Sequence, residues 1–203
     1  MEAAEWDQRY SAQDLVWSVE PNRFVEAETA STPAGRALDV AAGEGRNSIW
    51  LAGQGWRVTA VDFSQVGLEK GRRLAEKAGV AERIEWVTAD LRTWNPEPGA
   101  YDLVMVAYLQ LPEDSLRPVL EHMATGLAPG AKMLVVGHDR ANLEAGVGGP
   151  QDPAVLHTPD GLRSILAGAG LDHIRSATVE RPTPAGTALD TLATAVRPEG
   201  SPK

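Results

Sequence analysis

Three carboxylates stand at or near the ends of three successive apolar runs: Asp39 beside Ala37-Leu38, Asp62 after Val58-Thr59-Ala60-Val61, and Asp90 after Trp86-Val87-Thr88-Ala89. Carboxylates placed at strand ends are hard to explain as packing, because a buried acid needs a partner. The first stands in the stretch Asp39-Val40-Ala41-Ala42-Gly43-Glu44-Gly45-Arg46-Asn47-Ser48. Gly43 and Gly45 let a chain turn sharply and let a ligand come close where a Cβ would collide. A strand, a Gly turn and a helix in succession bring backbone amides against a small ligand. Acids on both sides of that turn repel a phosphate and attract a cation. A dinucleotide site also wants a third glycine, and Ser48 stands there. The chemistry on offer is therefore the binding of a cationic ligand, with Asp62 a bidentate acceptor for vicinal hydroxyls.

The elements that must position these groups alternate. Strands are expected at Arg36–Ala41, Trp56–Val61 (ending on Asp62), Arg83–Ala89, Tyr101–Ala107 and Lys132–Gly137. Helices are expected at Glu2–Tyr10, Pro21–Ala30 and Asn47–Gln54, and from Ser64 as N-cap to Gly79 as C-cap. Another follows Pro112, with Leu116, Val119, Leu120, Met123 and Leu127 at helical spacing and Pro118 near its first turn. A sixth opens on Thr158-Pro159-Asp160 and ends at Gly170. Leu91–Ala100 carries two prolines and a glycine, so its crossover helix is expected to be short or missing. His173–Glu180 and Thr187–Val196 should close the chain as a hairpin. Five strands alternating with helices predict right-handed parallel crossovers. The fold class is α/β: a Rossmann-like, seven-stranded, mostly parallel sheet with helices on both faces and the last strand antiparallel.

A chain of 203 residues is expected to form a single domain, 1–203. Residues 1–34 would be a helical leader, and 139–158 a long loop. Trp6, Tyr10 and Trp17 make the leader aromatic; they either pin it to the domain or make it a lid. The net charge of −9 argues against nucleic acid or an anionic membrane as partner. With no cysteine there is no disulfide and no thiolate metal site, and the four histidines show no ligand spacing, so no metal is expected. Met1–Tyr10 is not a signal peptide, and the longest apolar run, Leu103–Leu109, is too short to span a bilayer. A cytoplasmic location is the expectation; the oligomeric state has no sequence signature.

The Gly loop resembles the first motif of class I S-adenosylmethionine-dependent methyltransferases, D/E-x-G-x-G-x-G, with Asp39, Ala41, Gly43 and Gly45 at its four positions and Ala41 replacing the usual glycine. S-adenosylmethionine carries a sulfonium, an ammonium and no phosphate, which suits an acidic loop. The strand order is also similar to that family's seven-strand sheet. The resemblance implies a cofactor site of Asp39, Ala41, Gly43, Gly45, Asn47, Asp62, Phe63, Ser64, Asp90, Leu91 and Ala107. Asp62 would meet the ribose, Phe63 the adenine, Asp90-Leu91 the adenine edge, and Asp39 the loop or the ammonium. Trp6-Asp7-x-x-Arg9-Tyr10 with Trp17, Pro21-Asn22 and Arg46-Asn47 resembles the small bacterial branch of tellurite-resistance and thiopurine methyltransferases, whose leader covers the cofactor. Arg9 and Trp17 are then added to the cofactor side. Tyr10, Asn22, Tyr108, Gln110 and Asp139 would line a pocket for a small-molecule substrate.

Methyl transfer is an in-line displacement at an activated carbon, so alignment supplies most of the acceleration. A base is needed only if the nucleophile arrives protonated. His138, at the end of the fifth strand, is the candidate, with a hydrogen-bonded structural histidine as the alternative. His122 and His173 are read as structural, and His157 lies within reach of the loop. Two other functions stay open: an NAD(P)-dependent oxidoreductase, and a non-catalytic S-adenosylmethionine-binding protein.

Overall fold

The computed structural model describes residues 3–16 and 18–200. Its strands form a seven-stranded sheet in the order β3-β2-β1-β4-β5-β7-β6. The chain divides into two compact units, residues 1–95 and 96–203.

The first unit runs α1 (Ala3–Ser11), α2 (Arg23–Thr29), β1 (Arg36–Val40), α3 (Arg46–Gly53), β2 (Arg57–Asp62), α4 (Gln65–Lys77) and β3 (Ile84–Thr88). β2 pairs in parallel with β1 on one side and β3 on the other. The leader helix starts later than Pro21: Asn22 is the N-cap, its side chain accepting from the amides of Phe24 and Val25. Ser64 caps α4 as expected, accepting from Gly67 N. Val58, Ala60 and Val61 of β2, Leu51 of α3 and Leu68 of α4 are buried. Residues 91–100 hold no helix.

The second unit runs β4 (Tyr101–Ala107), α5 (Glu113–Ala124), β5 (Leu127–His138), α6 (Asn142–Ala145), α7 (Pro159–Gly168), β6 (Asp172–Thr183) and β7 (Gly186–Val196). β4 and β5 are parallel; β7 is antiparallel to both β5 and β6. Leu103 to Val106 are all buried, as an almost continuously apolar strand requires.

Two local expectations are corrected. Pro118 lies inside α5, not in its first turn. Its missing N–H would have bonded the carbonyl of Asp114, an exposed residue whose carbonyl water can serve instead. β5 begins at Leu127, a residue assigned to the preceding helix by its spacing. Leu127 pairs with Tyr101 and Lys132 with Leu103, so the residues between bulge out and the N–H-free Pro129 sits where no ladder bond is needed. Among the described residues, no helix is long and apolar enough to cross a membrane.

Candidate functional site

In the first unit the Gly loop is built around two buried acids. Asp62 Oδ2 accepts from Gly43 N at 2.8 Å, and its Oδ1 accepts from Ser64 N at 2.8 Å. One carboxylate thus ties the glycine turn to the start of α4. Burial raises the Asp62 pKa, against the pull of those two amides. Asp39 is 1 % exposed and accepts from Ser48 Oγ at 2.6 Å. Burial pushes Asp39 up to about 7, with Ser48 opposing and the Asp62 charge adding to the rise. Two acids held short of easy ionisation gain when a cation arrives. That donor set fits a cationic ligand and does not fit a phosphate.

The loop itself is left-handed at three residues: Ala41 (φ 59°), Gly43 (φ 58°) and Gly45 (φ 73°). Gly45 is also required by packing. A Cβ there would lie 2.4 Å from Trp86 Cη2, and one on Gly71 would lie 2.5 Å from the same atom. The Trp86 indole of β3 is therefore wedged between the loop and α4, a contact the sequence does not announce. Gly67 of α4 is less tight: a Cβ there would lie 3.0 Å from the Tyr10 ring and 3.3 Å from Gly43 O.

Glu44 has a different task from the one its place beside the turn suggested. Its carboxylate accepts from Val16 N at 3.0 and 3.2 Å and lies 3.4 Å from Lys70 Nζ. Lys70 also donates to the carbonyls of Tyr10 and Gln13. Asp7 accepts from Ser64 Oγ at 2.5 Å and Val66 N at 3.3 Å. The leader is thus clasped onto α4 and the Gly loop through Glu44, Lys70 and Asp7, whose roles sequence reasoning missed. Within that clasp Tyr10 is buried with its ring against Gly67, and Arg9 stacks on Trp6 at 4.9 Å. Asn22 N donates to Asn47 Oδ1 at 2.8 Å, so these two expected site residues pin the leader to α3. Trp17 lies outside the described residues.

Phe63 and Leu91 are half-buried. Asp90 is clamped by Arg92, whose Nε lies 2.9 and 3.0 Å from its two oxygens and Nη2 2.6 Å from Oδ2. Those hydrogen bonds hold its carboxyl below the usual range.

In the second unit the expected residues fall into two groups. Asp139 is buried, accepting from Thr178 Oγ1 and Thr191 Oγ1 at 2.7 Å each and from Ala141 N at 2.8 Å. It ties β5 to β6 and β7 and shapes the turn into α6. His157 is buried against Gly137, and desolvation, with His138 nearby, lowers it to about 4, so it is neutral at pH 7.

The other group gathers on Asp190, a β7 residue that no local sequence signal selects. Tyr108 Oη donates to Asp190 Oδ2 at 2.7 Å and Arg181 Nε donates to the same oxygen at 2.6 Å. His138 Nδ1 lies 3.3 Å from Oδ1 without a hydrogen bond, and this buried nitrogen has no hydrogen-bond partner among the described residues. The Tyr108 and His138 rings are 5.0 Å apart. Burial works to raise the Asp190 pKa, but His138, Arg181 and Tyr108 together hold it below the usual value. Tyr108 adopts φ 60°, a strained conformation for a bulky side chain. Ala107 and Gln110 are half-buried at the end of β4; both amide atoms of Gln110 are buried and have no hydrogen-bond partner among the described residues.

Comparison with known proteins points the same way. Residues 37–130 match a family model described as "Methyltransferase domain". A demethylmenaquinone methyltransferase of Clavibacter sepedonicus is 32% identical over 122 residues, 60% of this chain and 47% of the relative. A probable thiol methyltransferase 2 of Arabidopsis thaliana is 24% identical over 136 residues, 64% of this chain and 60% of the relative. The chain spans about half the length of the curated relatives it matches. A solved structure described as "Conversion of a Disulfide Bond into a Thioacetal Group during Echinomycin Biosynthesis" superposes with a TM-score of 0.74 at 23% identity, covering 98% of this chain and 93% of that one. The fold is that of the class I methyltransferases, with the seven-stranded order expected.

Proposed function

We propose that the chain is an S-adenosylmethionine-dependent methyltransferase that acts on a small-molecule acceptor by in-line methyl transfer. The observation that carries this reading is the pair of buried acids, Asp39 and Asp62, around a left-handed glycine turn in a segment that matches a methyltransferase domain. When bound, S-adenosylmethionine supplies a methyl group already activated on a sulfonium.

The chain's own residues then have distinct tasks. Asp62 offers its remaining lone pairs to the ribose hydroxyls while its bonds to Gly43 and Ser64 fix its orientation. Asp39 balances the methionyl ammonium. Phe63 packs on the adenine, and Asp90 and the Leu91 amide meet its edge, with Arg92 keeping Asp90 ionised. Gly43, Gly45 and Ala41 shape the loop, with Asn47, Ser64 and Ala107 around it. The leader, residues 1–34, serves as the lid through Arg9 and Trp17, and Tyr10 and Asn22 hold it. In the second unit Tyr108 and the unpartnered amide of Gln110 recognise the acceptor, and His138 accepts its proton.

Residues 1–203 act in this reading as one methyltransferase domain, with 139–158 as the substrate loop. The thiol methyltransferase relative and the leader's resemblance to the tellurite-resistance and thiopurine branch favour a soft acceptor such as a thiol, selenol or other chalcogen. The charge of −9 favours a small molecule over nucleic acid and suits the cytoplasm.

Asp62→Asn tests the cofactor assignment. An amide keeps one acceptor for the loop amides but loses the charge, so affinity for S-adenosylmethionine should fall by about 1.5–3 kcal/mol, the range for hydrogen bonds to charged groups. Unchanged affinity in a folded variant removes Asp62 from the ribose role.

A further inference from the structure

In the order of the sheet β6 stands last, so one of its sides is an edge. With 12 residues it is a long strand, and a long edge offers a row of backbone donors and acceptors to any other strand. The pairing with β7 says which groups face outward. Thr183 and Gly186 flank a two-residue turn, Pro184-Ala185, and close the hairpin as a hydrogen-bonded pair. Counting back from Thr183, every second residue directs its amide and carbonyl to β7: Arg181, Val179, Ala177 and Arg175. The residues between them, Ile174, Ser176, Thr178, Glu180 and Pro182, turn theirs away from the sheet. That side is not left open. Arg163, an exposed residue of α7, donates from Nη1 to Ile174 O at 3.1 Å and from Nη2 to Ser176 O at 3.3 Å. Both carbonyls belong to the outward set, and one planar guanidinium takes the two in succession. At the other end Pro182 has no N–H to offer. Thr178 to Glu180 is what remains, a window at the lower limit of strand length. Without the guanidinium the outward run reaches from Ile174 to Glu180, a strand of ordinary length.

We propose that the outer edge of β6 is a self-association surface, which a second copy of this chain fits in antiparallel pairing about Ala177, and that Arg163 keeps it closed. The choice of partner follows from charge and register. In an antiparallel match, outward residues must meet outward residues, so the two-fold axis falls at Ser176, Ala177 or Thr178. An axis at Thr178 sets Arg175 against Arg181 of the second copy, and like charges directly opposite destabilise a pair. An axis at Ser176 sets Glu180 against Asp172, again like charges, in the irregular stretch before Arg175. An axis at Ala177 sets Ile174 against Glu180, Arg175 against Val179 and Ser176 against Thr178, with no like charges face to face. The edge is therefore complementary to itself in one central register. Arginine suits the closing task. Its fork of donors occupies two acceptors at once, and its charge never leaves at ordinary pH. A strand arriving there meets a cation in place of free carbonyls, which is one way in which sheets protect an edge. The inference is independent of the cofactor and of the reaction.

Sedimentation of the wild-type chain and of Arg163→Ala over one concentration series is the test. Arg163→Ala should associate at least about tenfold more tightly than wild type, the scale of a pair of charge-assisted hydrogen bonds. In that variant the amides of Ser176 and Thr178, which face outward, should exchange more slowly as the concentration rises. Adding Ala177→Glu to Arg163→Ala should reverse the association, because it sets two carboxylates opposite each other at the axis. Equal association of wild type and Arg163→Ala overturns the proposal. Association that survives Ala177→Glu, or that leaves the Ser176 and Thr178 amides fast, lies on another surface and overturns it as well. Should Arg163→Ala fail to fold, Arg163→Lys, which keeps the stem and the charge but loses the fork, is held to the same pattern.

Discussion

Ala41 is the one member of the loop motif that departs from glycine, and it pays a conformational cost. A left-handed alanine is strained by about 1–2 kcal/mol, whereas glycine adopts φ 59° freely but brings about 0.5–1 kcal/mol more chain entropy to the unfolded state. Ala41→Gly should therefore stabilise the protein by roughly 0.5–1 kcal/mol, seen as a higher urea midpoint at unchanged slope; a lower midpoint contradicts the strain. Asp39 gives a second prediction at this scale. Its pKa of about 7 means that the free protein holds a proton there through mildly acidic pH. A cation bound beside it lowers that pKa, so the bound state holds fewer protons and rising pH favours it. Affinity for S-adenosylmethionine should climb between about pH 5 and 7 with release of up to about one proton. Calorimetry in buffers of different ionisation enthalpy measures this, and Asp39→Asn should abolish the release. Proton release that survives in Asp39→Asn contradicts the assignment. These residues were legible because the acids and glycines lie together in the chain. Arg92, only two residues from Asp90, was overlooked because a charged neighbour in a loop has no fixed direction until the turn is known.

At the scale of elements, the leader helix α1 is docked by bonds to residues far along the chain. Asp7 holds it to the start of α4 through Ser64 and Val66, Lys70 holds its Tyr10 carbonyl and that of Gln13 beyond it, and Glu44 holds Val16. Asp7→Ala should weaken this clasp by about 1–2 kcal/mol, which is about 5- to 30-fold faster hydrogen exchange over residues 3–16 with β1 and β2 unchanged. Exchange that rises everywhere, or nowhere, contradicts a separable clasp. The helix itself was predictable from its pattern; its docking was not, since Asp7 and Ser64 are 57 residues apart. The Trp86 wedge is similar: Gly45 and Gly71 signal close approach, but the sequence does not say what approaches. Pro118 shows the opposite limit, where a strong local rule gave way to a helix held by Leu116, Val119, Leu120 and Met123, all buried.

At the scale of the molecule, alternation of apolar runs and helical spacing was enough to read the seven strands and the antiparallel closing strand, because each run declares itself locally. The cluster on Asp190 was hidden. It depends on the register of β7 against β5, which sets His138 opposite Asp190, and on a Tyr108–Asp190 bond that spans 82 residues of sequence. The central claim concerns the Gly loop and is tested most directly by calorimetric titration of the chain with S-adenosylmethionine, S-adenosylhomocysteine and NADH side by side. Two acids around the loop predict that the first two bind, in the micromolar range, and that NADH is silent. Binding of NADH alone would contradict the account and pass the fold to an oxidoreductase.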